Sequence, residues 1–85
     1  MSSSPEQRLV YMANQIGKFF VAQGETTAVE GIAVHLKKFW DPRMLKQIYQ
    51  IMRQPDNGLK PNTLEAIQIL SKSDPHAHAD LEASG

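Results

Sequence analysis

Apolar residues recur along this chain at spacings of three and four, with no sustained two-residue alternation, so the pattern predicts helices and no strands. Leu9, Met12, Ala13, Ile16, Phe19 and Phe20 make the first helical face. Ser4-Pro5-Glu6-Gln7 precedes it with a capping hydroxyl, a proline at the first helical position and a glutamine at the capping-box position. Gly24 supplies the left-handed residue that ends the run. Gly17 interrupts the face at a cost of about 1 kcal/mol relative to alanine, which a close approach by another helix or a ligand would justify. Val29, Ile32, Ala33, Leu36, Phe39 and Trp40 make a second face, opened by a second capping box, Thr27-Ala28-Val29-Glu30. It must stop near Trp40 or Asp41, because the residue before Pro42 is pushed out of the helical region.

Asp41-Pro42 is itself a cap followed by a first-turn proline, so a third helix starts at once, with Met44, Leu45, Ile48, Tyr49 and Met52 along its apolar stripe. The turn formers Gln54-Pro55-Asp56-Asn57-Gly58 end it. Leu59 and Pro61 introduce a shorter segment with Leu64, Ile67 and Leu70 on one face. The expected fold class is all-α: a small bundle of three main helices plus a short fourth, with a disordered C-terminal tail. Residues 1–4 form a leader, 5–70 the helical domain and 71–85 a flexible tail. Leu81 is the only large apolar residue after Ser71, too little to offset the entropy of ordering that segment.

Length and composition narrow the function more than the fold. A chain of 85 residues holds one domain at most and sits near the lower size limit for a self-sufficient core. It has no cysteine, which removes disulfides, thiolate nucleophiles and cysteine-ligated zinc or iron–sulfur sites, and leaves the fold dependent on its core or on a partner. Nine basic and nine acidic residues cancel, so no global field directs the chain to nucleic acid or to an anionic membrane. The balance is uneven locally. Lys37, Lys38, Arg43, Lys46 and Arg53 face a single acid, Asp41, in the middle of the chain, whereas the tail sets Lys72 against Asp74, Asp80 and Glu82. Helical spacing puts Lys37 and Lys38 off the apolar face, where solvation is the default. Met1–Ser4 lacks the pattern of a secretory signal, and no apolar run is long enough to span a bilayer, so a cytoplasmic location is expected.

No catalytic, cofactor or metal site can be assembled. The serines lie at the two ends, the threonines read as caps, and His35 is the only histidine in the helical region. His76 and His78, near Asp74 and Asp80, lie in a segment without the preorganised shell that metal coordination needs. The glycines stand singly and none follows a strand, which excludes the usual phosphate loops. Arg43, Lys46, Gln47, Gln50 and Arg53 on the third helix raise a helix-turn-helix reading, but the corner is tighter than the usual turn and the positive charge is small for phosphate binding. The most informative cluster is Phe39-Trp40-Asp41-Pro42-Arg43-Met44. Neighbours on a helix point about 100° apart, so Phe39 and Trp40 cannot both face one core comfortably, and one of them is available to a partner. Phe19-Phe20 poses the same question. The bland alternative is that these aromatics fill the core, Asp41 caps and Arg43 is solvated.

Met12-Ala13-Asn14-Gln15-Ile16-Gly17 with Phe19-Phe20, then Gly31-Ile32-Ala33 with His35 and Leu36, then the block from Phe39 to Met44, together resemble the delta subunit of soluble, NAD-dependent, molybdenum-containing formate dehydrogenases. The resemblance runs from about Leu9 to Leu70, with a weaker block at Gly58-Leu59, Pro61 and Glu65-Ala66; this chain departs from it in lacking a better cap at Lys60 and further arginines after Met44. It implies a non-catalytic accessory subunit that binds the molybdopterin-carrying catalytic alpha subunit, with beta and gamma subunits in the same complex. Formate oxidation to carbon dioxide, with electrons passing over iron–sulfur clusters and FMN to NAD, would take place in those other chains. A transient chaperone for molybdenum cofactor insertion is the alternative, and a DNA-binding module a more distant one. The expected docking residues are Asn14, Gln15, Phe20, His35, Phe39, Trp40, Asp41, Arg43 and Met44. On this reading Trp40→Ala weakens association by about 2 kcal/mol or more, measurable by co-purification.

Overall fold

Ser4 starts the first helix as its sequence predicts. Its Oγ accepts from the Gln7 N–H and the Gln7 side chain accepts from the Ser4 N–H, both at 3.1 Å, with Pro5 at the first helical position. The computed structural model describes residues 4–74. Residues 1–3 and most of the expected tail, including His76, His78, Asp80, Leu81 and Glu82, lie outside the described residues. The elements are α1 (Pro5–Gln23), α2 (Glu25–Phe39), α3 (Pro42–Met52) and α4 (Pro61–Ser73), and no strand occurs among the described residues. Helix α1 lies along α2, α2 packs also on α4, and α3 closes the bundle against α4 and α1.

Two boundaries differ from the sequence pattern. The Thr27/Glu30 capping box does not start α2; both residues lie inside the helix and are exposed. Gly24 is at once the C-cap of α1 and the N-cap of α2, with φ 153° and ψ 119°, and its N–H donates to the Phe20 and Val21 carbonyls. Glycine reaches that φ without strain, so one residue reverses the chain and α2 begins directly at Glu25. Complete burial of Ala28 then holds the first turn in helical register. At the other end, α4 passes the expected boundary at residue 70 and runs to Ser73. Ser71 and Ser73 donate their hydroxyls to the Gln68 and Leu70 carbonyls, and Asp74 is buried rather than part of a solvated tail.

The centres of the buried faces also shift. In α1 the buried line is Leu9, Ala13 and Gly17, while Met12 and Phe19, expected in the core, are exposed. In α2 it is Ala28, Ile32 and Leu36, continued by Trp40. Leu45, Ile48, Tyr49 and Ile51 from α3, and Ala66, Ile67 and Leu70 from α4, complete the core, with Val10, Ile16, Met44, Met52 and Leu59 packed at its edge. Burying an isoleucine or leucine side chain stabilises by about 1.5–3 kcal/mol, so these contacts carry most of the fold.

Small residues set how close the helices come. A Cβ on Gly17 would lie 2.1 Å from Thr63 Oγ1 and 3.5 Å from Ile32 Cδ1, so Gly17 is where α4 and α2 press against α1. The same region is tied by Asn14, whose Nδ2 donates to the Gly58 carbonyl while its Oδ1 accepts from the Lys60 N–H, both at 2.9 Å. These two bonds fasten the connection before α4 to α1. Asn57 braces that connection from within, donating to the Met52 and Gln54 carbonyls and accepting from the Leu59 N–H.

Tyr49 and Asp74 close the far end of the bundle. The buried Tyr49 hydroxyl donates to Asp74 Oδ2, which joins α3 to the C-cap of α4. Burial, and then the hydrogen bond to the Asp74 carboxylate, push the phenol well above its ordinary value.

Two predictions follow from this packing. Gly17→Ala lowers stability by about 1–2 kcal/mol in urea unfolding, because the clash outweighs the helix-propensity gain of up to about 1 kcal/mol; adding Thr63→Ala recovers most of the loss. For Tyr49, the raised folded-state pKa means that the native chain keeps a proton the unfolded chain loses above about pH 10, so the stability it contributes is fully present below that pH and falls above it. Tyr49→Phe should cost about 1–2 kcal/mol at pH 7 and show a shallower alkaline decline than the parent in thermal melts from pH 8 to 11.

Candidate docking surface

The outward-facing aromatics form one connected row across α1 and α2. Gly31, His35 and Phe39 stand at successive four-residue intervals along α2. A Cβ on Gly31 would lie 2.6 Å from Phe20 Cδ1, so the bare backbone there is what lets the half-buried Phe20 ring of α1 lie over α2. Phe20 meets the His35 ring edge-on at 5.9 Å between centroids and Phe19 at 5.4 Å with an interplanar angle of 85°. His35 in turn lies 4.7 Å from the Phe39 ring, tilted by 39°, and the Lys38 ammonium sits 5.8 Å from the Phe39 centroid. Phe39 is 66% exposed and Phe19 59%. Edge-on and tilted ring pairs contribute about 0.5–1.5 kcal/mol each, enough to hold the rings in a defined arrangement without burying the outer two.

Phe39 and Trp40 divide as the 100° rule requires, and in a direction that corrects one expectation. Trp40 turns inward and is 7% exposed within the core cluster, so it belongs to the fold and its ring is not presented on this surface; Phe39 turns outward. Phe19 and Phe20 divide similarly, with Phe19 outside and Phe20 half-buried. Asp41 Oδ1 accepts from the Met44 N–H at 2.9 Å and caps α3, Met44 packs at the edge of the core, and Arg43 is exposed beside the corner.

Asn14 and Gln15 stand elsewhere. Six residues along a helix place Asn14 about 120° around α1 from Phe20. Asn14 is engaged with Gly58 and Lys60, and Gln15 Nε2 donates to the Tyr11 hydroxyl at 3.1 Å. Both line an open groove of about 690 Å3 with Tyr11, Lys18, Lys60 and Thr63. The structure therefore brings Phe20, His35 and Phe39 together, sets Asp41, Arg43 and Met44 at the adjoining corner, and leaves Asn14 and Gln15 on another side. The expected docking set omits Phe19 and Lys38, which the structure adds to this face; the adjacency of Phe19 to Phe20 was the signal for the first.

A family model for the NADH-dependent formate dehydrogenase delta subunit, FdsD, matches residues 8–67. The chain belongs to that family. No curated protein and no solved structure matches it. The matched segment contains the whole aromatic row, the corner and the Gly17–Thr63 approach, and it ends before Asp74. Membership in the delta-subunit family implies a complex with the other subunits of the dehydrogenase. Among the described residues, no three or more His, Cys, Asp or Glu are grouped to hold a metal, and no helix is long and apolar enough to cross a membrane.

The seat of Phe20 over Gly31 gives a direct check on the row. Gly31→Ala should displace the ring at a cost of about 1 kcal/mol and shift the His35 ring-proton resonances in NMR spectra while the helical circular dichroism is retained.

Proposed function

We propose that the chain is a cytoplasmic, non-catalytic accessory subunit that binds the molybdopterin-carrying catalytic alpha subunit of a formate dehydrogenase, beside beta and gamma subunits, and supports assembly or stability of that complex. The observation that carries the reading is the aromatic row Phe19, Phe20, His35 and Phe39, whose outer rings Phe19 and Phe39 are exposed, on a bundle whose core is filled mainly by other residues. Aromatic and arginine side chains of this kind supply most of the binding energy at protein interfaces. The residue set does not fit the complex's cofactors. With no cysteine there is no thiolate for an iron–sulfur cluster, and single glycines offer no phosphate cradle for FMN or molybdopterin. Those groups, and the oxidation of formate to carbon dioxide with NAD as acceptor, accordingly belong to the other chains. The corner Asp41–Met44 adjoins the row and completes the docking face; Asn14 and Gln15 would meet a partner only if it also reached the groove side of α1.

The test uses the full chain and the complex prepared from cells lacking it. Phe19→Ser with Phe39→Ser should keep the helical spectrum yet weaken binding about 30-fold, equivalent to about 2 kcal/mol. Trp40→Ala should instead unfold the free chain, losing about 3–5 kcal/mol. Undiminished co-purification of the double serine variant would overturn this docking face. Unchanged activity after the chain is stripped from a matured complex would assign its role to cofactor insertion instead.

A further inference from the structure

Helix α3 presents a second outward face, of different chemistry, that starts where the aromatic row ends. Its apolar residues Leu45, Ile48, Tyr49 and Ile51 are buried, and no acidic residue occurs from Pro42 to Arg53. Arg43, Lys46, Gln50 and Arg53 recur at intervals of three, four and three, which aligns them along one line of the helix away from that core. Arg43, Gln50 and Arg53 are exposed and Lys46 is half-buried. Asp41, the one acid at the near end, is committed to its capping bond with the Met44 N–H. Phe39 and Arg43 are separated only by the corner, a span of at most about 15 Å. Lys38, over the Phe39 ring, continues the positive charge onto the aromatic row.

We propose that the aromatic row and the α3 line form one docking surface, and that its occupant is a face of the catalytic subunit carrying an apolar socket for Phe39 bordered by aspartate and glutamate side chains that meet Arg43 and Arg53. This rests on the accessory-subunit reading and adds the chemistry of the partner to it. Charge complementarity selects the occupant: two guanidinium groups, Arg43 and Arg53, on the helix that follows an exposed aromatic are matched by planar carboxylates, which arginine binds through two parallel hydrogen bonds. A nucleic acid fits less well, because the line offers few cations, the chain as a whole is neutral, and phosphate backbones give no socket for Phe39 and Phe19. The charged half of such a surface acts mainly on the rate of encounter and on salt dependence, and the aromatic half on residence time.

The experiment measures association of the full chain with the complex lacking it, at 50 and 500 mM NaCl. The expected result is an affinity about tenfold or more weaker at high salt, mostly through slower association. Arg43→Glu with Arg53→Glu should keep the fold, lose about tenfold or more at 50 mM NaCl and lose the salt dependence, while Arg43→Lys with Arg53→Lys recovers most of the steering. If the glutamate variant fails to fold, Arg43→Gln with Arg53→Gln serves the same comparison. Salt-independent binding, or charge variants that bind like the parent while Phe19→Ser with Phe39→Ser abolishes binding, would overturn the electrostatic inference and leave the accessory-subunit reading standing. Absence of parent binding at both salt concentrations would overturn both. Binding of the α3 line to duplex DNA at 50 mM NaCl, lost in the glutamate variant, with no effect of that variant on the complex, would replace the proposed occupant by a nucleic acid.

Discussion

Pro42 has no N–H to give to the preceding turn and pushes Asp41 into extended backbone, so α2 cannot run through Asp41; it ends at Phe39, and α3 begins immediately after Asp41. Everything distinctive about the molecule's surface depends on that corner. It leaves two large aromatics, Phe39 and Trp40, at the last turn with their side chains about 100° apart, and a single core can accept only one of them. Trp40 takes the core and pins the corner to α3 and α4; Phe39 is left in water, stacked on His35 and flanked by Lys38. The same constraint starts α3 in a register that buries Leu45, Ile48 and Tyr49 and turns Arg43 and Arg53 outward. The inner anchor and the outer patch are thus consequences of one backbone restriction.

The bundle uses small residues where its helices come closest. Ala13 and Gly17 on α1 and Ala28 on α2 are fully or nearly fully buried, and they bring the axes close enough that Ile32, Leu36, Ile48 and Ile67 fill the centre. Close crossing also excludes Met12 and Phe19, which have the right period for the core but nowhere to go. In a chain this short, leaving two phenylalanines in water forgoes the burial they could contribute unless another surface covers them. That asymmetry, a filled core beside an uncovered aromatic row, is why a binding role suits this chain better than a free-standing one.

Polar side chains tie the helices together over long stretches of sequence. Asn14 spans from α1 to both sides of Leu59, and Tyr49 reaches from α3 to Asp74 after α4. Each bond joins residues 25 or more positions apart, so it ties helices that local sequence cannot orient. Asn14 was expected to serve a partner; in the fold it is occupied in holding the connection before α4. A side-chain amide is equally suited to either task, and the residue's spacing on α1 does not distinguish them.

The periodicity and the caps determined a great deal without any tertiary information: an all-α chain, the start of α1 at Pro5, the corner at Asp41-Pro42 and the proline start of α4 at Pro61. These are local matters of backbone geometry and short-range hydrogen bonding. What only the tertiary structure decided was which of two equivalent-looking neighbours turns inward, Trp40 rather than Phe39 and Phe20 rather than Phe19; that Gly17 is a contact point and Gly31 a seat for a ring; that α2 begins at Gly24's reversal and not at its apparent capping box; and that α4 reaches Ser73 because Tyr49 holds Asp74. The reason is that a helical period is blind to the distance and tilt of the neighbouring helix. Those depend on side chains far away in sequence, and they determine whether an apolar residue at the margin of a stripe becomes core or becomes surface.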